Sequence, residues 1–433
     1  MMKRNTGWML SVIMMLSLIL SACSSTANDD QLSKGNESNT GKTEQKILKF
    51  WMRGSGPNEV LARSVVADIK VFEEQNPDIK VEIDYIPYAD VEAKWNTAFA
   101  GGTAPDIFEV GIINVASRAN LEQFIPLDDY INGWSGKDDI IDNIYKLGSY
   151  KGKIYGLGYL PAPNVFAYRK DFFEEANLDP ARPPQNWEEL MEYSKKLAVM
   201  ENGKLVRGGF DVPSQNGSFW LEMFGHQNGS AIVDEEKELP VFDEPAAVEA
   251  LEFLKELSQY SISYDQRKTE TVPFRLGQSA MTYISPDAIG EMIRNDPSLE
   301  GKIGVVSNVP GKHPSTFNGL RLLSISSTSK MKDEAWKLIE FFLSKERAEL
   351  RMKELMMPVV NKSLAEPFIA MNPEMNSAIV EAIQIGVGRP NVTWSPLFEK
   401  YANQGYEEAM FGVKSVEKAL QDAVADLKKE IGN

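Results

Sequence analysis

Apolar positions along this chain alternate between two periods. Ile47-Leu48-Lys49-Phe50-Trp51 is a short apolar run that reads as a buried strand. The Gly- and Pro-containing stretch from Arg53 to Asn58 breaks it. Asn58 is placed to cap a helix over 59–74, in which Leu61, Val65, Ile69 and Phe72 share one face. Asn76-Pro77 stops that helix, and Ile79, Val81, Ile83 and Tyr85 then alternate with polar residues at strand period. A helix over 90–100 ends at Gly101-Gly102, and residues 106–110 read as a third strand. Strand, helix, strand in this order predicts a βαβ unit and a largely parallel sheet. In such sheets the crevice beyond the carboxyl ends of the strands is the functional place. Trp51 and Arg53, after the first strand, and Glu109 and Asn114, at and beyond the third, are therefore the first candidates.

Further along, residues 153–159 read as a strand, interrupted by Pro161-Ala162-Pro163-Asn164 and resumed by Val165-Phe166-Ala167-Tyr168. A Pro-rich break in a continuing strand pattern suits a passage between two domains. Helices are predicted over 187–199, with Asn186 as cap, and over 218–224, 246–257, 333–342 and 414–431. Strands are predicted at 280–284 and at 320–326, the latter after an Asn318-Gly319 break. No fixed-period repeat is present.

The N-terminus changes the picture. Lys3 and Arg4 precede an uncharged apolar run from Trp8 to Leu20, which is shorter than the about 20 residues of a spanning helix and suits a secretory leader. The run ends in Leu20-Ser21-Ala22-Cys23, and Cys23 is the single cysteine of the chain. This ending resembles a bacterial lipobox, which implies cleavage before Cys23 and a diacylglycerol on its sulfur. Residues 24–46 are almost wholly polar and read as a flexible tether.

The chain has 433 residues, enough for two or three domains, and a formal net charge of −16. That balance argues against nucleic acid as a partner. Two histidines and one cysteine leave no room for a disulfide or a Cys- or His-rich metal site. No dinucleotide fingerprint, nucleotide-phosphate loop, G-x-S-x-G elbow or H-E-x-x-H helix occurs, and no cofactor or metal is expected.

Several segments together resemble the bacterial extracellular solute-binding proteins of family 1, the carbohydrate receptors of ABC importers. They are Phe72-Glu73-Glu74-Gln75-Asn76-Pro77-Asp78-Ile79, Ala100-Gly101-Gly102-Thr103-Ala104-Pro105-Asp106-Ile107, Ile125-Pro126-Leu127-Asp128, Tyr168-Arg169-Lys170-Asp171-Phe172-Phe173, Trp187-Glu188-Glu189-Leu190, Phe274-Arg275-Leu276-Gly277 and Ala335-Trp336-Lys337-Leu338. The chain departs from the family pattern at Arg169, where Asn is common, near Asp287, where a tryptophan is frequent, and near Val110, where an aromatic is frequent.

The resemblance implies a periplasmic-binding-protein-like α/β fold of two lobes, with a ligand cleft and crossing hinge strands. The expected division is a leader over 1–22, the lipidated Cys23 and tether over 23–46, an N-terminal lobe over 47–160 plus 319–357, and a C-terminal lobe over 161–318 plus 358–433. Crossings are expected near Pro161 to Asn164, Asn318-Gly319 and Met357-Pro358. The implied protein is a non-enzymatic, monomeric, extracytoplasmic receptor, lipid-anchored to the cell membrane, with a mono- or oligosaccharide ligand and membrane permease subunits as partners.

A sugar presents C–H faces for aromatic rings and hydroxyls for oriented polar groups. On that chemistry Trp51, Trp220 and Trp394 are candidate platforms, each equally compatible with core packing. Arg53, Glu109, Asn114, Asp287, Asn318 and Arg321 are candidate hydroxyl partners, with a solvated surface or a local turn as the alternative for each. A receptor for a polyamine or peptide, a surface glycoside hydrolase with two carboxylates and an adhesive lipoprotein remain the competing readings.

Overall fold

The computed structural model describes residues 45–54, 56–262 and 272–432. The leader, Cys23 and nearly all of the tether lie outside these described residues.

Two sheets organise the chain. The first contains β1 (Lys46–Arg53), β2 (Ile79–Ile86) and β3 (Ile107–Gly111), with β1 parallel to both neighbours. β4 (Leu157–Pro163) also belongs to it. The second sheet is built from β5 (Val165–Arg169), β6 (Val199–Glu201), β7 (Lys204–Phe210), β8 (Ser279–Ile284) and β9 (Ile303–Val306), in the order β9-β5-β8-β7-β6. β10 (Thr316–Ile325) returns to the first sheet, antiparallel to β3 and β4, and the two-residue β11 (Gly386–Val387) lies parallel to its start. The chain therefore passes from one sheet to the other at Asn164, between β4 and β5, as the Pro-rich break suggested.

The sequence periodicities explain most elements. The first helix, Val60–Gln75, buries Leu61, Val65, Ile69 and Phe72 against the first sheet. Its cap position is Glu59 rather than Asn58, whose carbonyl accepts from Arg63 instead. The Trp187–Leu197 helix starts as expected: the Asn186 side chain accepts from the Glu189 N–H at 2.9 Å, and the Glu189 carboxylate reaches back to the Gln185 N–H at 3.0 Å. The closing helix, Val416–Glu430, buries Ala419, Ala423 and Leu427.

Two apolar clusters fill the body, and the first also takes in Val165, Ala167, Ile284, Ile303 and Val305 of the second sheet. Phe50, Trp95, Phe108, Leu322 and Phe342 belong to the first, and Phe166, Phe210, Trp220, Phe224 and Tyr283 to the second. Burial of each such side chain contributes about 1.5–3 kcal/mol. Residues Val359, Val360, Leu364, Phe368, Ile379 and Ile383 join the first core, and the Pro373–Ile385 helix packs on strands of both sheets.

Candidate functional site: the open face of a crossing strand

β10 alternates strictly at its start. Thr316, Asn318 and Leu320 are buried, whereas Phe317, Gly319 and Arg321 face outward and are partly exposed. Four steps of extended chain, about 13 Å, lead from Phe317 to Arg321. Ala162, opposite Gly319 on β4, is exposed as well. A Cβ at Gly319 would lie 3.2 Å from the Ala162 carbonyl oxygen and 3.5 Å from the Phe317 ring. The absent side chain thus leaves an open floor between a polar end and an aromatic end.

The polar end lies at the carboxyl ends of β1 and β3. Glu109 is fully buried. Its Oε1 accepts from Arg321 Nη1 at 2.8 Å and lies 3.4 Å from Arg53 Nε, while its Oε2 accepts from the Tyr159 hydroxyl at 2.6 Å. Tyr88 is flanked by both guanidinia, whose carbons lie 5.7 Å (Arg53) and 5.8 Å (Arg321) from its ring centre, and its hydroxyl accepts from Arg321 Nη2. Burial first, and the Glu109 carboxylate second, hold the Tyr159 phenol protonated, well above its ordinary range. Burial alone would lower the Arg321 pKa, but the Glu109 carboxylate together with Tyr159 and Tyr88 outweighs it, and the guanidinium is held above its ordinary value. Two cations around one carboxylate leave a net positive end.

Asn114 stands at the margin of this cluster. A Cβ at Gly111 would meet Arg53 Nη1 at 2.7 Å and Asn114 Oδ1 at 3.7 Å, so this glycine lets the two side chains approach. The Asn114 amide donates to Glu92, which also binds the buried Arg118.

The aromatic end is built by the Ser218–Gln227 helix and the loop after β11. Phe219 meets Phe317 edge to face, with centroids 5.1 Å apart. The Arg389 guanidinium lies 5.8 Å from the Phe317 ring centre and donates to the buried Glu222 Oε2 at 3.0 Å. Burial pushes the Glu222 carboxyl up to about 7 against the opposing pull of Arg389.

Of the sequence candidates, β10 and its neighbours bring together Arg53, Glu109, Asn114 and Arg321. Trp51 lies elsewhere: its Nε1 donates to Asp84 at 3.0 Å, and it lines a groove of about 580 Å³ beside the Val91–Ala100 helix. Trp220 is core, packed edge-on to Phe210 at 5.6 Å. Trp394 is 8 % exposed and donates to the Glu238 carbonyl at 2.7 Å, at the start of a helix. Asn318 is fully buried on the inner face of β10, its amide 3.5 Å from the Ile383 carbonyl. Asp287 is exposed in the first turn of the Pro286–Asn295 helix. Sequence reasoning missed Tyr88, Tyr159, Phe219, Phe317 and Arg389. Alternation through Thr316-Phe317-Asn318-Gly319-Leu320-Arg321 carried the signal for Phe317.

Among the described residues no group of three or more His, Cys, Asp or Glu is arranged to hold a metal, and no helix is long and apolar enough to cross a membrane. Aromatic rings, fixed cations and buried acceptors around an open floor are equipment for recognition.

A two-lobed α/β body with such a crevice is the architecture of a solute receptor, and the comparisons agree. The family model described as bacterial extracellular solute-binding protein matches residues 68–377, and the chain belongs to that family. A putative binding protein of Brucella abortus is 24% identical over 358 residues, covering 74% of this chain and 85% of the relative. The maltotriose-binding protein of Pyrococcus abyssi is 23% identical over 310 residues, covering 69% of this chain and 63% of the relative. The solved sugar-binding protein MalE of Xanthomonas citri superposes with a TM-score of 0.78 at 22% identity, covering 89% of this chain and 97% of that one.

Proposed function

We propose that this protein is a lipid-anchored receptor that captures a carbohydrate between its lobes and hands it to an ABC importer. One observation carries the reading: Phe317, Gly319 and Arg321 share the open face of a strand, an aromatic ring at one end and fixed hydrogen-bond donors at the other. A sugar's C–H face suits the first and its hydroxyls the second. Relatives named for maltotriose or sugar binding support the same class. Two guanidinia around one carboxylate disfavour a polyamine. In this reading residues 1–22 are removed and Cys23 carries the lipid. The lobes divide as the sheets do, and no turnover accompanies binding. Arg53, Glu109, Asn114 and Arg321 serve the ligand's hydroxyls, directly or by holding one another.

A thermal-shift screen of the purified protein against mono- and oligosaccharides tests this. A ligand at 100 times its Kd stabilises by about 2.7 kcal/mol. Selective stabilisation by one glycan family is the expected result. A flat response to sugars with a shift from peptides or polyamines would overturn it.

A further inference from the structure

A cavity of about 670 Å³ lies beyond Arg389, which forms part of its wall. It is lined from the first lobe by the 143–152 stretch and from the second by Glu222, His226 and the 231–244 stretch. Its size falls within the about 300–1,000 Å³ of small-molecule sites. Arg389 is shared: the same guanidinium faces the Phe317 ring and holds Glu222 Oε2. The other Glu222 oxygen, Oε1, is buried and has no hydrogen-bond partner among the described residues, and neither does the buried Asn391 Oδ1 of the same lining. A buried polar oxygen without a partner is costly, so both positions call for one.

We propose that the ligand site continues past Arg389 into this cavity, which takes the hydroxyl-rich far end of an oligosaccharide; the inference rests on the carbohydrate reading above. A hydroxyl suits both: it donates to the Asn391 amide oxygen, and it donates to Glu222 Oε1 or accepts from it, whichever form that carboxyl takes. The lining charges nearly cancel, Lys146, Lys151 and Arg389 standing against Glu222, Asp234, Glu235 and Glu244, so a neutral polyol fits better than an ion. The rim is tied across the lobes. The Tyr150 hydroxyl donates to Glu238 Oε1 at 2.7 Å, and Lys151 Nζ lies 3.4 Å from the same oxygen. A ligand reaching the cavity is therefore enclosed at its far end.

Titration calorimetry of the purified protein with malto- and manno-oligosaccharides, from mono- to pentasaccharide, tests this. Affinity should keep rising beyond the unit that fills the open floor, by up to about tenfold for one added hydrogen bond. Ala231 and Glu235 are exposed residues of the lining, so Ala231→Trp and Glu235→Trp plug the cavity from positions that do not hold the core. Each plug should remove the gain of the longer ligands and leave the shortest binder unchanged, with an unaltered unfolding midpoint. Equal affinity across the length series, or plugs that weaken all lengths alike, would overturn the extended site and leave the carbohydrate reading standing. Failure of every saccharide to bind would overturn both.

Discussion

The Arg321 guanidinium and the Glu109 carboxylate meet at 2.8 Å, and the carboxylate is fully buried while the guanidinium reaches the surface. The pair joins β10 to β3 and fixes which way the donors of Arg321 point. Removing the carboxylate leaves Arg321 and Arg53 uncompensated. Glu109→Ala is expected to lower unfolding stability by about 3–5 kcal/mol, and Glu109→Gln by less, because the amide oxygen still accepts from one donor. Urea unfolding of the three proteins measures this. A loss below about 1 kcal/mol for Ala would match an exposed pair instead.

The open floor predicts two ligand-binding phenotypes. Phe317→Ala removes an aromatic ring that contributes little to the core, and binding of the cognate sugar should weaken about tenfold. Gly319→Val puts side-chain bulk between Ala162 and Phe317, where a Cβ already approaches an oxygen at 3.2 Å. Calorimetry should then show loss of binding, with near-ultraviolet circular dichroism unchanged. Tight binding by the valine variant would mean that the ligand lies elsewhere.

That floor was the part of the site hardest to read from sequence. Asn318-Gly319 is a turn dipeptide by local chemistry, and a strand from 320 onward was the natural reading. In the fold the dipeptide is mid-strand. Asn318 turns inward near the Ile383 carbonyl, and Gly319 lies beside Ala162. Tertiary pairing with β4 overrides the local preference. The carboxyl-end rule points to the crevice where Arg53, Glu109 and Asn114 lie together, because it depends on topology, which βαβ periodicity reveals. The tryptophans misled for the opposite reason. Trp220 sits on the Ser218–Gln227 helix, where nothing local tells an inward from an outward aromatic, and it faces Phe210 and Tyr283. Arg389 follows a two-residue strand in a loop and offers no period at all.

Buried Asp211 gives stability a defined pH dependence. Burial pushes its carboxyl up to about 7, although the Phe274 N–H donates to it at 3.1 Å. The folded state therefore holds a proton that the unfolded chain has lost above about pH 4. Its contribution is fully present below the unfolded pKa and is lost as pH rises through the folded one. Stability of the native protein relative to Asp211→Asn should fall between about pH 4 and 7, with a limiting slope of about 1.4 kcal/mol per pH unit. Denaturant unfolding of both proteins at several pH values checks the sign. A difference that grows with pH would show the carboxylate to be the favoured form.

Glu238 combines a strained backbone with a bridging side chain. Its φ is +52°, in the left-handed region. Its Oε1 accepts from Tyr150 at 2.7 Å and its Oε2 from the Thr393 hydroxyl at 2.6 Å, while its carbonyl accepts from Trp394. Burial alone would raise the Glu238 pKa, but the Thr393 and Tyr150 hydrogen bonds prevail and hold it below the ordinary carboxylate range. Two replacements separate the backbone from the side chain. Glu238→Ala loses the bridge and keeps the strain; Glu238→Gly loses the bridge and relieves the strain. The glycine protein should be the more stable of the two by about 1 kcal/mol. Both should fall below the native protein, because the Tyr150 hydroxyl then lacks its acceptor. Equal midpoints for alanine and glycine would show that the left-handed turn relaxes once the carboxylate is gone. In that case the side-chain bonds to Tyr150 and Thr393 would be what impose it.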